Sequence, residues 1–104
     1  MEWAAGAAKS SGRPSVVSMS LGGDFLASVN EAAANLVSSG VTTVVSAGND
    51  GIDVSYYSPS SEPSVITVGA TTIADERLDF SNKGAGVDIW APGMRFPLAV
   101  LKLT

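Results

Sequence analysis

Apolar residues in this chain are concentrated in short, nearly unbroken runs that end at turn-forming residues. The runs cover residues 15–21, 41–47, 64–70 and 87–90. Their content of β-branched and small residues, with Gly, Ala and Pro at their ends, predicts a strand for each run. Strands that are apolar almost throughout are typical of a parallel sheet in which both faces are buried.

The segment between the first two runs has a different period. Its apolar side chains recur every three or four residues, which predicts a helix. They are Phe25, Leu26, Val29, Ala32, Ala33, Leu36 and Val37. Ser28 with Glu31 is a candidate capping box, Asp24 is a candidate earlier cap, and Gly40 suits the position just after the helix. The alanine-rich segment 2–10 predicts the end of a further helix.

Two such strands joined by one helix form a βαβ unit, which requires a crossover and therefore parallel strands. The predicted fold class is α/β, with a mostly parallel sheet covered on both faces. The loop between the second and third strands is rich in Ser, Tyr and Pro, and residues 75–79 form a charged turn that we expect to be solvated.

Composition narrows the possible functions. The chain has 104 residues, of which 45% are hydrophobic and 15% charged, and this suits one compact domain. The formal charge is -4, and the sequence contains no run of Lys or Arg. Both observations argue against nucleic acid or an anionic membrane as a partner. No apolar run approaches the roughly 18 to 20 residues that span a bilayer. Without cysteine, disulfides and thiolate chemistry are excluded within the chain.

The chain also contains no histidine. Histidine is the usual general base near neutral pH, so neither a Ser-His-Asp triad nor a Cys-His pair can form from this chain alone. The groups that remain available for chemistry are acids, lysines, hydroxyl groups and the backbone.

Two glycine-containing segments follow the first two strands, at residues 20–23 and 47–49. The carboxyl ends of parallel strands meet at one edge of a sheet, where ligands bind, so we expect these segments to be neighbours. Glycine lets a substrate backbone approach closely, and the Asn49 side chain offers a neutral donor that can stabilise an oxyanion. Residues 48–51 are equally consistent with a plain tight turn, because Gly, Asn and Asp tolerate positive φ.

Five stretches of the chain, taken together, resemble a known enzyme family. They read SMSLGG, SVNEAAANLVSSGV, VVSAGND, YSPSSEPSVITVGAT and DFSNKGAGVDIWAPG. In this order and spacing the chain resembles the middle of a subtilisin-like serine protease, closest to the proteinase K branch, over residues 3–93. The resemblance implies a three-layer α/β fold, peptide or protein substrates, hydrolysis of peptide bonds and secretion.

The resemblance also implies roles for individual residues. Asn49 matches the asparagine of the oxyanion hole. Substrate-binding positions are implied on the two walls of the specificity (S1) pocket: Ser20, Leu21 and Gly22 on one, Ala47 and Gly48 on the other. A peptide would lie there as an added strand, with main-chain hydrogen bonds for affinity and a side-chain pocket for specificity.

A structural calcium ion is the one cofactor that the resemblance implies. Its ligands would be the carbonyl oxygens of Pro63 and Val65 and the carboxylate of Asp88, and such hard oxygen donors suit calcium. Asp88 is also consistent with an ordinary solvated or capping carboxylate.

The chain departs from the family pattern in what it lacks. The motifs that carry the catalytic Asp, His and Ser are absent, and residues 94–104 do not resemble the expected continuation. We therefore expect a partial catalytic domain over 1–93, a divergent tail over 94–104, no catalysis by this chain alone, and apolar sheet surfaces that promote aggregation.

Two other functions remain open. One is a non-catalytic module, or remnant of an enzyme, that binds peptides. The other is a small nucleotide-binding domain, suggested by the glycine pair at 22–23 before a helix, although the chain has neither a full G-x-G-x-x-G motif nor a P-loop lysine.

Overall fold

A computed structural model describes residues 1–94, and the predicted tail lies outside the described residues from position 95 onwards. The elements in chain order are α1 (Glu2–Ser11), β1 (Val16–Met19), β2 (Gly23–Asp24), α2 (Ala27–Ser38), β3 (Thr42–Ser46), a 3₁₀ helix (Val54–Tyr56), β4 (Tyr57–Ser58), β5 (Ile66–Thr71) and β6 (Ile89–Pro92).

The main sheet has four parallel strands in the order β1-β3-β5-β6. Helix α2 connects β1 to β3, which are adjacent and parallel, so the predicted βαβ unit is present. Strands β5 and β6 each begin two residues later than predicted, at Ile66 and Ile89. The α/β fold class predicted from the sequence is confirmed.

A second, two-stranded sheet was not predicted. Strand β2 pairs antiparallel with β4, with Gly23 opposite Ser58 and Asp24 opposite Tyr57. Each strand has only two residues, too few for alternation to be visible in the sequence. The pairing links the segment before α2 to the Ser-, Tyr- and Pro-rich loop that precedes β5.

This pairing also changes how α2 begins. The N-cap is Leu26, and it makes no side-chain capping hydrogen bond, so the predicted caps at Asp24 or at Ser28 with Glu31 are wrong. The backbone N–H of Leu26 donates to Ser58 Oγ at 3.0 Å. Tertiary contacts therefore hold the chain entering α2, and the helix needs no local cap.

The other end of α2 follows the local rule. Gly40 has φ 96°, and its N–H donates to the Val37 carbonyl at 2.9 Å. Glycine adopts this left-handed conformation without the steric cost of a Cβ, as expected for a residue just after a helix.

The core lies between the sheet and α2. Ala33 of α2 packs with Val45 of β3 and with Val65, and all three are at most 3% exposed. Leu36 of α2 is 1% exposed and lies towards α1, which packs beside α2. On the opposite face of the sheet, Val16 and Ile89 remain more than half exposed. Within the described residues, one face of the sheet is therefore covered, whereas the sequence predicted that both faces would be. No helix among these residues is long and apolar enough to cross a membrane.

Candidate functional site

A cavity of about 320 Å³ lies at the carboxyl ends of the parallel strands. Ser20, just after β1, lines it together with residues 47–49, just after β3, and with Gly93, just after β6. The two segments that the sequence predicted to be neighbours therefore meet. The cavity extends along the uncovered sheet face, because Ser18 and Val44 also line it.

The rest of the predicted substrate-binding set lies around a second cavity, of about 470 Å³. Leu21 and Gly22 line it with Leu26 and Val29 of the α2 region. The structure thus divides the predicted residues, with Ser20, Ala47 and Gly48 on one cavity and Leu21 and Gly22 on the other.

Tyr57 lies between the two groups of predicted substrate-binding residues, and the sequence analysis did not identify it as a site residue. A Cβ added at Gly22 or at Gly48 would collide with the Tyr57 ring, which lies 2.6 Å from the Cβ position at Gly48. Both glycines are therefore required for the ring to fit between the two segments. Tyr57 is in the loop before β5, where nothing in the periodicity separated it from its neighbours.

The surroundings of Tyr57 disfavour ionisation of its hydroxyl. Burial raises the pKa of this phenol above its ordinary value, and the negative charges of Asp50 and Asp24 add to the effect. The ring accordingly presents an apolar, uncharged surface between the two glycine segments at neutral pH.

Asn49 lies on the wall of the first cavity and is exposed. Gly48 and Gly51 on either side have φ values of 102° and 66°. The segment is therefore a turn, as one interpretation held, and the same turn places Asn49 on the wall of the cavity. An amide donor there can bind an oxygen that becomes negatively charged, and it needs no change of protonation.

The loop that carries Asn49 is held by another asparagine. Asn82 is fully buried, at 0% exposure. Its Oδ1 accepts hydrogen bonds from the backbone N–H groups of Asp50 and Ile52, each at 3.0 Å, and its Nδ2 donates to the Ala47 carbonyl at 2.8 Å. Sequence reasoning missed this residue, because an asparagine beside lysine and glycine is usual in an exposed turn.

The charged turn before Asn82 is held together by hydrogen bonds from Arg77. Arg77 is exposed, as expected, yet its Nη1 donates to the carbonyls of Leu78, Asp79 and Ser81 at 3.1, 3.1 and 2.8 Å. Because Nη1 carries two hydrogens, at least one of them is shared between two of these carbonyls, and the contacts gather the turn around the side chain. Arg77 therefore has a structural role in addition to being solvated.

The predicted calcium ligands lie beside the start of β5 and before β6. Asp88 Oδ2 accepts a hydrogen bond from the Thr67 N–H at 2.7 Å, and the Asp88 N–H donates to the Thr67 carbonyl at 2.9 Å. The carboxylate is thereby held at Thr67, two residues after Val65 in the chain, and Asp88 is exposed. Within residues 1–94, no group of three or more His, Cys, Asp or Glu side chains is arranged to hold a metal.

Comparison with known proteins identifies the family. The profile of the subtilase family, Peptidase_S8, matches residues 1–103. The chain is 55% identical over 80 residues to subtilisin-like protease 2 of Pseudogymnoascus destructans, covering 77% of this chain and 20% of that protein. It is 56% identical over 78 residues to proteinase R of Parengyodontium album, covering 75% of this chain and 20% of that protein.

Solved structures agree with these sequence matches. A cold-adapted subtilisin-like serine proteinase superposes with a TM-score of 0.75 and 45% identity, over 77% of this chain and 29% of that one. The chain spans about a fifth of the length of these two curated relatives. The agreement of family profile, sequence identity and superposed fold shows that this chain belongs to the subtilase family.

Proposed function

We propose that this chain is the part of a serine endopeptidase that binds the substrate and stabilises the oxyanion. The observation that carries the proposal is the position of Asn49. It follows β3 on an exposed turn and lines a cavity together with Ser20, at the strand ends where α/β folds bind ligands.

The role of Asn49 follows from the charge that develops during acyl transfer. When a nucleophile attacks a peptide carbonyl, the oxygen becomes an oxyanion, and a fixed amide donor stabilises that charge more than it stabilises the neutral substrate. Asn49 would donate from Nδ2 to this oxygen. A donor that acts mainly in the transition state raises kcat with little effect on KM.

Substrate binding would use the two glycine-containing segments. Residues 20–22 and 47–48 would accompany the peptide backbone and form the walls of the specificity pocket, and main-chain pairing would supply affinity. The aromatic ring of Tyr57 between Gly22 and Gly48 supports an apolar character for this region.

A calcium ion at Pro63, Val65 and Asp88 is part of the proposal. The carbonyl and carboxylate oxygens suit a hard cation, and such an ion would join the start of β5 to the segment before β6. Calcium should raise the melting temperature of the chain, and Asp88→Asn should remove most of that increase. Equal melting temperatures with calcium and with a chelator would count against this site.

The family also supports secretion and peptide or protein substrates. Secretion would be tested by detecting the protein in the medium of its source organism. Its presence only inside the cells would contradict the proposal.

The central experiment replaces the 78 matching residues of proteinase R with those of this chain. The 56% identity makes the exchange conservative. The chimaera should hydrolyse a chromogenic peptide substrate, and Asn49→Ala in it should lower kcat by about 10² to 10³ with little change in KM; this magnitude is the one known for the oxyanion asparagine of subtilisin itself.

Asn35→Ala is the matched control, because this asparagine is exposed on α2, away from both cavities. It should leave kcat unchanged. A folded chimaera without activity would refute the substrate-binding role, and an active chimaera in which Asn49→Ala keeps full kcat would remove Asn49 from the oxyanion hole.

A peptide-binding module without catalysis is the second candidate, and the absence of histidine from the chain favours it for the chain acting alone. The 104-residue chain should bind peptides saturably, and it should neither hydrolyse them nor react with a fluorophosphonate that labels activated serines. Gly22→Val should abolish binding, because the added side chain meets Tyr57 and the Ser58 carbonyl. Stoichiometric labelling would show an activated serine, and a failure to bind any peptide would exclude the module.

A further inference from the structure

Asn82 is buried at the point where the loop bearing Asn49 meets the turn before β6. Its side-chain amide makes three hydrogen bonds, and each goes to the backbone of that loop. The oxygen accepts from Asp50 and Ile52, and the nitrogen donates to Ala47. Both lone pairs of the Asn82 amide oxygen and one of its two N–H donors are thus used by a single stretch of backbone.

These partners lie on both sides of Asn49. Ala47 precedes it by two residues, and Asp50 follows it directly. The backbone N–H of Asn82 also donates to the Gly48 carbonyl at 2.9 Å. Asn82 therefore bonds to the backbone on both sides of the turn, and these contacts hold Gly48 in its conformation at φ 102°.

Asn82 is itself held firmly. The neighbouring Ser81 Oγ accepts from the Ala70 N–H of β5 at 3.0 Å and donates to the Asn82 carbonyl at 3.0 Å. Arg77 binds the Ser81 carbonyl from the other side. The turn that carries Asn82 is therefore anchored to the central sheet.

We propose that Asn82 is a positioning residue that fixes the direction of the Asn49 amide at the cavity. This inference rests on the proposed oxyanion role of Asn49. An oxyanion donor is effective only when it points at the developing charge before the reaction begins, and a misplacement of about 1 Å can cost about 100-fold in rate. The Asn82 amide supplies a donor for Ala47 and an acceptor with two lone pairs for Asp50 and Ile52 without carrying a charge.

The first test uses amide hydrogen exchange in the 104-residue chain. Asn82→Ala removes the acceptor for two amides, so exchange at Asp50 and Ile52 should become faster by about tenfold or more. Asn30→Ala is the matched control: the Asn30 amide donates to Ser61 at 2.8 Å, away from this loop, and its loss should leave both amides unchanged.

Asn82→Asp keeps the size of the side chain and the acceptor oxygen but replaces the donor to the Ala47 carbonyl by a second oxygen, so it should restore at most part of the protection that Asn82→Ala removes. Equal exchange in the parent chain and Asn82→Ala would overturn the proposal. This outcome does not depend on Asn49 having a catalytic role.

The second test measures kinetics in the proteinase R chimaera. Asn82→Ala should lower kcat by about 10-fold to 100-fold and change KM less than twofold, whereas general loss of structure would reduce the amount of active enzyme. Combining it with Asn49→Ala should cost no more than Asn49→Ala alone, because the two residues act through one donor.

The outcomes separate the two proposals. If Asn49→Ala lowers kcat and Asn82→Ala does not, or if their effects simply multiply, the positioning role is refuted and the oxyanion role stands. If Asn49→Ala has no effect on kcat, the oxyanion role fails first, and the positioning role fails with it.

Discussion

At the scale of single residues, two glycines determine whether the candidate site can form. Gly22 and Gly48 admit the Tyr57 ring between them, and Gly48 in addition has a positive φ and faces the Asn82 amide. The sequence indicated that glycine would let a substrate approach closely. The structure adds that the same glycines let a side chain of the protein itself approach closely.

Gly48→Ala should destabilise the chain. The left-handed backbone costs about 1 to 3 kcal/mol for a residue with a Cβ, and collisions with Tyr57 and Asn82 add to that cost. Urea unfolding measures the effect. Gly6→Ala is the control, since Gly6 is in α1 with nothing within 4 Å of the added Cβ, and it should stabilise by about 0.5 to 1 kcal/mol. Equal stability of the Gly48→Ala variant and the parent would contradict the close packing described here.

At the scale of elements, α2 is the main source of the core. Its period placed Ala33 and Leu36 among its buried residues, with Ala33 packed against Val45 of the sheet, while its start depends on β4 through the Leu26 to Ser58 hydrogen bond. The helix is therefore locally specified in its middle and at its end, where Gly40 acts, and tertiary contacts specify where it begins.

Leu36→Ala should lower the free energy of unfolding by about 2 to 5 kcal/mol, because Leu36 is 1% exposed and its loss leaves a cavity beside α2, where α1 packs. Asn35→Ala, one residue earlier and exposed, should change it by no more than about 0.5 kcal/mol. Both values come from urea unfolding followed by circular dichroism. Similar small losses for the two variants would mean that α2 is not docked as described.

At the scale of the whole molecule, the sheet is asymmetric. One face packs against α2, and the other exposes Val16, Ile66 and Ile89 at 68, 40 and 55%. Pairing in the sheet brings Val44 beside Ile66 and Val68 beside Ile89, so these side chains belong to one continuous apolar surface. An apolar surface of this kind favours association between molecules.

The 104-residue chain should therefore self-associate, and the double variant Ile66→Thr with Ile89→Thr should shift it towards the monomer. Threonine keeps the β-branched shape that strands favour and reduces apolar area. Sedimentation velocity over a range of concentrations measures the shift. Ile73→Thr is the control, because Ile73 is 83% exposed but lies outside the strands. A parent chain that stays monomeric, or an equal effect of the control, would show that this face does not drive association.

The sequence by itself determined the features that depend on neighbours along the chain. The period of apolar residues specified the main strands and α2. The residue types at the strand ends identified Asn49 and the neighbouring glycines as candidate site residues. The family resemblance, carried by the motif strings, was confirmed by the profile match and the superposed fold. Asn49, the substrate-binding residues and the calcium ligands remain proposals.

Only the tertiary structure decided the features that join distant segments. Asn82 bonds to residues 30, 32 and 35 positions away, and β2 pairs with β4 across a similar separation of the chain. Local pattern carries no information about such contacts, since a buried asparagine and a turn asparagine have the same neighbours in sequence. The position of Tyr57, the start of α2 and the uncovered face of the sheet were decided in the same way, because burial is a property of the folded chain.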